Sequence, residues 1–584
     1  MKLADALVTT LRDWDVQYVF GVSGANIEHV HDAIHQLGDG RLRAIMTKSE
    51  IGAAFMADCR ARVHRTLGVC CSTSGGAMMN LAVGIAEAHA ESVPMLAIVG
   101  QPPTPLEGRG AFQDSSGIGR SVDAKALFSS IAKHVVKVEG PHMFWEALRG
   151  AVTAALSGRP GPAVLLLPRD MYETEVGERP VWLPDQLDAF RRVRPIEATP
   201  IRALFERLRD ARHPVLMLGT GVERSTDPDA VRAFAKAAGV PVVTTMASLG
   251  SFPHRDPLFL GSVGLAGHPS AHTYLNDRAD LIVAVGSGLN LMTRGPIGRA
   301  LEGADIAVVN IDAGEACRSA SPELVVEADA GEAFRALSRL LEREPFHHGR
   351  PNGYEQTRYR TVLAPPVDDS PVRPEALLQS EAVEILQSSL PATGHLLFDA
   401  GNCAVAALHG IQPPERASTT IALGMGGMGY AVAGAIGAQL GTEGGRTIVF
   451  CGDGAFLMQG LEVHTAVQEK LPILFVVFNN GAHGMCVTRQ QKLFEGRIEC
   501  TQYAPVDVTT LCGGLGSDRT LWKGKAGTRQ ELESALQDFS EHRAGPGVLE
   551  LILEREEVPP FGPFVDEDAE TVVVPRVGGV RSAA

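Results

Sequence analysis

The 584-residue chain has no Cys-x-x-Cys pair and no basic run longer than a few residues. Nor does any apolar stretch in it approach the roughly 18 residues that a membrane span needs. The nine cysteines are odd in number and scattered, and the nearest two are the adjacent Cys70 and Cys71. That usage suits reduced thiols in a cytosol. A net charge of -15 makes nucleic acid and anionic membrane surfaces poor partners. The start, MKLADALVTTLRDW, sets Leu3, Ala6, Leu7 and Leu11 on one helical face instead of forming the apolar core of a secretion signal. The chain does have 45% hydrophobic residues, and it is long enough for several cores. At about 150 residues each it has room for three to four domains. A cytoplasmic enzyme of small molecules fits these bounds.

From 1 to about 175 the text alternates short apolar strands with helical stripes. VQYVFGV precedes a helix near Asn26 to Gln36, LRAIMT a helix over Glu50 to Val63, LGVCCST a helix near Asn80 to Glu91, and PMLAIVG follows. SGRPGPAVLLLPRDM closes the segment with a turn and one more buried strand. Such alternation predicts an α/β architecture of doubly wound parallel sheets. Residues 176 to 200, rich in proline and charge, read as a linker. A second α/β unit over 201 to 345 has strands near Val215 to Gly219, Val240 to Thr244, Leu281 to Val285 and Ile306 to Ile311. Its Gly219-Thr220-Gly221 and Gly286-Ser287-Gly288 loops lack the third glycine of a nucleotide fingerprint. A second linker spans about 346 to 374, a third unit runs from 375 to 560, and 561 to 584 form a tail.

The chemistry concentrates in TIVFCGDGAFLMQGLEVHTAVQEKLPILFVVFNN. The run Thr447 to Cys451 enters Gly452-Asp453-Gly454 as a strand, a helix is expected from about Leu457 to Glu469, and Ile473 to Phe478 delivers Asn479-Asn480. A carboxylate and amides thereby stand at the carboxyl ends of neighbouring parallel strands, where open α/β sheets bind ligands. Magnesium takes hard oxygen donors together with phosphate oxygens. Asp453 and Asn480 supply two such donors, and the flanking glycines admit an anion to the backbone. The plain alternative is a strand ending in an ordinary Gly-Asp-Gly turn.

The pairing of GDG with NN resembles the thiamine-diphosphate signature of the acetolactate synthase and pyruvate decarboxylase superfamily. The resemblance implies three doubly wound domains: an aminopyrimidine-binding domain at 1 to 175, a central domain at 201 to 345 and a diphosphate-binding domain at 375 to 560. It implies that Asp453, Asn480 and the carbonyl of Ala482 hold magnesium, and that magnesium holds the diphosphate of the cofactor. Glu50, in TKSEIGAAFMA, corresponds to the glutamate that bonds the ring nitrogen of the cofactor's aminopyrimidine and shares a proton with it. Without that context it reads as an acid favouring a helix N-terminus.

CSTSGGAMMNLAVGIAEAHAESVPMLAIVGQ matches the family at Thr73, Ser74, Gly75 and Asn80, with Gly76 where proline and Met79 where threonine are usual. In an AFQ triplet like that of acetolactate synthases, Gln113 is implied to face the reacting carbon and Phe112 to line the pocket; otherwise they are an ordinary loop pair. Ser23-Gly24-Ala25 takes the place of a PGG or PGS loop near the substrate, and Arg169 stands in LPRD where the family has LPKD. Asn402 and Cys403 fall where the diphosphate is bound. By the match of TTIALGMGGMGYAVAGAIGA, Gly426 would accept a hydrogen bond from the aminopyrimidine and Met428 would wedge beneath the cofactor. A methionine at a helix start is otherwise core filling. Around the GDG and the asparagines, Gly454, Ala455, His483, Gly484 and Met485 complete the implied cofactor contacts. The text after the asparagines, GAHGMCVTRQQKLFEGR, departs from GMVRQWQ and lacks its tryptophan. His483 has two readings, a proton shuttle or a solvated loop histidine.

The implied activity is decarboxylation of a 2-oxo acid such as pyruvate and transfer of the acyl unit to an acceptor carbonyl. AFQ, and the lack of an adjacent His-His pair in the first domain, prefer this carboligation to a simple 2-oxo acid decarboxylase that releases an aldehyde. A non-catalytic assembly subunit is a third reading. The resemblance also implies a homodimer or homotetramer, in which one copy's glutamate meets cofactor bound by another copy. FAD in the central domain is not the preferred reading, because SGLNLMTR lacks both aspartates of the RFDDR found in flavin-binding members; a sheet kept for packing is preferred.

Overall fold

The computed structural model describes residues 1–358, 362–363, 371–542 and 545–558. The tail expected at 561 to 584 lies outside them. Three six-stranded, all-parallel sheets follow one another along the chain. The first contains β1 (Tyr18–Gly21), β2 (Arg43–Met46), β3 (Gly68–Ser72), β4 (Met95–Gln101), β5 (His134–Lys137) and β6 (Pro162–Pro168), in the order β2-β1-β3-β4-β6-β5. The second contains β7 (Pro214–Leu218), β8 (Val242–Thr245), β9 (Phe259–Val263), β10 (Leu281–Val285), β11 (Asp305–Asn310) and β12 (Leu324–Glu327). Its order, β12-β11-β10-β7-β8-β9, is that of a dinucleotide-type fold. After β13 (Val362–Leu363), the third sheet contains β14 (Thr393–Phe398), β15 (Arg416–Ile421), β16 (Arg446–Gly452), β17 (Ile473–Asn479), β18 (Trp522–Ala526) and β19 (Gly547–Ile552). It repeats the first as β15-β14-β16-β17-β19-β18, and β20 (Glu557–Val558) pairs antiparallel with β13.

The central strands are continuous runs such as LIVAV and ILFVVF and are buried along their whole length, because helices cover both faces of each parallel sheet. In each sheet the chain winds first one way and then the other from its first strand, so a cleft opens at that switch point. The clefts lie between β1 and β3, between β7 and β10, and between β14 and β16.

The first and third units meet along helices Glu50–His64 and Tyr430–Gln439. Gly437 allows this crossing, since a Cβ there would run into the carbonyl of Met56. Inside it, Asp58 is buried against Arg62 at 2.6 Å, Arg62 reaches Glu87 at 3.2 Å, and the Tyr430 hydroxyl donates to Asp58.

Several elements differ from the sequence expectation. The helix expected from Leu457 begins at Asp453 and is broken by a tight turn at Gly460–Glu462 before resuming at Val463–Gln468. The helix expected from Asn80 begins at Gly76. The segment read as a linker at 176 to 200 is packed: Leu183 and Phe190 are buried, Phe190 lies edge-on to Trp14 at 5.1 Å, and the Trp14 indole donates to the Pro184 carbonyl at 2.7 Å. Among the described residues no helix is long and apolar enough to cross a membrane.

Histidines accumulate where the second and third units touch. His268 and His409 stack with ring centres 4.9 Å apart, and His409 Nδ1 bonds the Ala266 carbonyl at 3.0 Å. Burial lowers His254 and His272 from 6.5 to about 4. Burial, with nearby His64 adding to it, does the same to His395 in the third unit. Such groups bind protons more readily in the unfolded chain, so unfolding takes up protons and stability falls as pH drops from 6.5 towards 4. Urea midpoints are expected to be lower at pH 5 than at pH 7.5, with a smaller difference in His395→Gln; equal midpoints would contradict the assignment.

Candidate functional site

The carboxyl ends of β14, β16 and β17 build a cradle. After β14 comes Asp399, fully inside the protein, whose carboxylate accepts from the backbone N–H groups of Ala400 at 2.9 Å, Gly429 at 2.9 Å and Ala431 at 2.7 Å. Burial pushes its carboxyl pKa upward and these hydrogen bonds oppose the shift. After β16, Asp453 opens a short helix; Oδ1 accepts from Gly454 N at 3.0 Å and Oδ2 from Gly481 N at 2.9 Å. Burial raises this acid too, and the nearby Tyr503 hydroxyl and those backbone donors oppose the shift. After β17 the two asparagines divide their work. Asn479 turns inward, its amide donating to buried Glu550 at 2.6 Å, whereas the Asn480 side-chain oxygen accepts from Ala482 N at 3.0 Å.

Between these tips lies a cavity of about 120 Å³ lined by Gly401, Asn402, Cys403, Met428, Gly452–Ala455, Asn480, Ala482–Cys486 and Glu556. Helices Asn402–Gly410, Asp453–Gln459 and Gly484–Leu493 all begin at it. Convergent helix starts concentrate unpaired N–H groups and the positive ends of helix dipoles, which is an arrangement for anions. Two glycines are needed there. A Cβ on Gly454 would stand 2.6 Å from His483 Nδ1, and one on Gly484 would strike the Glu556 carboxylate. Half-buried His483 packs edge-on to Tyr503 at 5.5 Å, and its Nδ1 has no hydrogen-bond partner. The Asn402 side-chain oxygen is likewise unpartnered, in a residue only 2% exposed. Burial pushes Glu556 up to about 7, with Asp453 adding to the shift and hydrogen bonds from Asn402 and Asn480 opposing it.

Gly426 and Met428 ride on the loop between β15 and helix Tyr430–Gln439, and Gly426 has a φ of +65°. Two buried carboxylates pin this loop. Glu87 of the first unit accepts from Gly424 N at 3.2 Å and Met425 N at 2.6 Å, and Asp399 takes its far end.

A second cluster stands at the cleft of the first sheet. Thr73, past the end of β3, accepts from Asn26 N at 3.1 Å and lies 3.4 Å from the Gln113 side-chain oxygen. Gly24 abuts Thr73, and Gly75 abuts Gln113. Ser23 bonds His31 at 3.3 Å beside them. Phe112 is 79% exposed, and Ala25 and Arg169 also face solvent. Glu50 begins its helix, with Ser49 capping Gly52 N at 2.9 Å and the Asn80 amide donating to Glu50 Oε2 at 2.9 Å. The same chain's third unit holds this helix start: Glu462 accepts from Lys48 N at 2.8 Å and Ser49 N at 3.2 Å. Within one chain, none of Ser23, Glu50, Thr73, Asn80, Phe112, Gln113 or Arg169 lines the cradle.

Three family models match the chain in succession: the thiamine pyrophosphate enzyme N-terminal TPP binding domain over residues 1–119, the central domain over 201–337, and the C-terminal TPP binding domain over 399–551. The acetolactate synthase large subunit of Corynebacterium glutamicum is 30% identical over 95% of this chain and 87% of its own length. The chain belongs to the thiamine pyrophosphate enzyme family. Acetolactate synthase isozyme 1 large subunit of Escherichia coli is 28% identical over 95% of this chain and 94% of its own. A probable acetolactate synthase large subunit of Methanocaldococcus jannaschii is 30% identical over 85% and 83%. This thiamine pyrophosphate enzyme is accordingly a transferase similar to acetolactate synthases.

The cradle fits such a cofactor. Helix starts suit its diphosphate, the orphaned Asn402 oxygen and His483 nitrogen are polar atoms awaiting partners, and the glycines leave room at the backbone. Among the described residues no group of three His, Cys, Asp or Glu could hold a metal. The donors present, one carboxylate with an amide and a carbonyl oxygen, form a hard set suited to magnesium completed by phosphate oxygens. Sequence reading missed Asp399, Glu87, Glu462, Tyr503 and Glu556. FDAGN and REEV offer no motif by themselves, and only three-dimensional proximity gives these residues a place.

The thiamine pyrophosphate enzyme should depend on Asp399 for its loop. Asp399→Asn replaces an acceptor facing three N–H groups with one that also presents donors, so a loss of about 1–3 kcal/mol is expected. Denaturant titration measures it, and an unchanged midpoint would show that the loop does not rely on this carboxylate.

Proposed function

We propose that the protein is a carboligase that decarboxylates a pyruvate-like 2-oxo acid and transfers the acyl unit to an acceptor carbonyl. When bound, thiamine diphosphate supplies the electron sink for loss of carbon dioxide. The chain's residues supply everything else. Asp453, Asn480 and the Ala482 carbonyl would hold Mg2+. Asn402, Cys403, Gly454, Ala455, His483, Gly484 and Met485 would surround the diphosphate, and Gly426 and Met428 would support the ring end. Glu50 would hold the proton shared with the aminopyrimidine, with the Asn80 amide orienting its Oε2. Thr73 would join the cofactor contacts, and Gln113, Phe112, Ser23, Gly24, Ala25, Arg169 and His483 would form the substrate face.

The observation carrying this reading is the division of the two halves: the cradle is built by the third unit, while the Glu50 and Gln113 cluster belongs to the first and lines no part of it. Two copies must then associate to complete a site, as a homodimer or homotetramer. Exposed Met79 and Val83, on the helix that carries Asn80, and exposed Phe112 and Met425 provide apolar surface for that contact.

Carboligation is favoured over simple aldehyde release by the Gln113 loop beside Thr73 and by the acetolactate synthase names of the relatives. FAD is not favoured. The cleft between β7 and β10 forms a cavity of about 250 Å³ lined by both two-glycine loops. Arg159 at its rim is paired with Glu315 at 2.6 Å, and a sheet retained for packing accounts for these features. The purified protein's flavin absorbance tests this.

Incubation with pyruvate, thiamine diphosphate and Mg2+ should yield acetolactate or acetoin. Acetaldehyde alone would favour the decarboxylase, and absence of turnover with any 2-oxo acid would favour an assembly subunit. Glu50→Gln should lower kcat by roughly 10²- to 10⁴-fold while leaving Mg2+–thiamine diphosphate affinity within a few-fold. Full activity in that variant would remove Glu50 from the mechanism.

A further inference from the structure

Glu556 sits in the cradle and has no part in the chemistry described above. Its carboxyl group lines the cavity beside Asn402 and Asn480 and lies against the Cα of Gly484, where helix Gly484–Leu493 begins. The free N–H groups of that helix start are donors that a diphosphate oxygen would use, and a carboxylate presents an anionic acceptor to them.

The position of Glu556 is fixed from both sides. Glu554 accepts from Arg373 N at 3.1 Å and pairs with its guanidinium, and Glu557 accepts from Ser380 Oγ at 2.8 Å. Leu553 N donates to the Asn479 carbonyl at 2.9 Å, joining the segment to the tip of β17. Three glutamates within four residues therefore have three separate assignments: two tie the backbone to the rim, and the one between them points into the cradle.

We propose that Glu556 is an internal competitor for the anion seat, a carboxylate that an incoming diphosphate must displace from the cavity at the start of helix Gly484–Leu493. The proposal rests on the cradle being the cofactor's diphosphate site. Because the neighbours anchor the backbone, displacement requires rotation of the Glu556 side chain and leaves β20 in place. The competitor scales the apparent affinity down to the fraction of molecules in which the seat is free.

Calorimetric titration of the full chain with Mg2+–thiamine diphosphate and, separately, with Mg2+–pyrophosphate tests this. Glu556→Gln keeps the shape and removes the charge, and Glu556→Ala empties the seat. Both variants are expected to bind both probes about tenfold more tightly than the natural chain. Affinity unchanged or weakened in both variants would overturn the proposal, and weakening would make Glu556 a cofactor or cation ligand instead. If the natural chain and the variants bind neither probe, the cradle reading itself fails and the proposal falls with it. Binding of both probes without a gain leaves that reading standing and removes the competitor alone.

Discussion

The structure depends on buried carboxylates that accept from backbone N–H groups where regular pairing stops. A parallel strand that ends at a cleft leaves donors with no sheet partner, and burying them unpaired costs about 1–3 kcal/mol each. Asp399, Asp453, Glu87, Glu462 and Glu550 all meet this need, each taking two or more N–H donors. Irregular loops consequently hold their shape next to the cleft without being covered by strands. This conformational constraint makes a cofactor cradle out of what would otherwise be three loose strand ends.

The same device joins distant parts of the chain. Glu462 belongs to the third unit and grips the start of the Glu50 helix in the first, while Glu87 belongs to the first and grips the loop before Met428 in the third. The two grips run in opposite directions across the Gly437 crossing. Neither unit can shift without breaking charge-assisted hydrogen bonds in a dry interior, where such losses are most costly.

Legibility from sequence followed the strength of local signals. The buried strands β3, β4, β6, β10, β16 and β17 were readable because each is an unbroken apolar run, and Leu281–Val285 agrees to the residue. β5, β12 and β18 went unread because edge positions leave them partly exposed and their text, HVVK, LVVE and WKGKA, mixes apolar and charged residues. Gly452-Asp453-Gly454 and Asn480 were visible as a motif and do converge on one cavity. The differing duties of Asn479 and Asn480 were not visible, because only the folded sheet brings the Asn479 amide to Glu550, two residues along β19 from its register partner Ile552. The segment 176 to 200 looked like a tether for its prolines and charges, yet Leu183 and Phe190 suffice to fasten it to Trp14.

Helix Gly76–Ala90 carries Asn80 near its start and Glu87 near its end, about 10 Å apart along the axis. One end steadies the acid at Glu50 and the other sets the height of the loop bearing Gly426 and Met428. The rod therefore works as a gauge block between two subassemblies. Any tilt it undergoes displaces both fittings together, so their spacing is preserved even when the surrounding shell breathes.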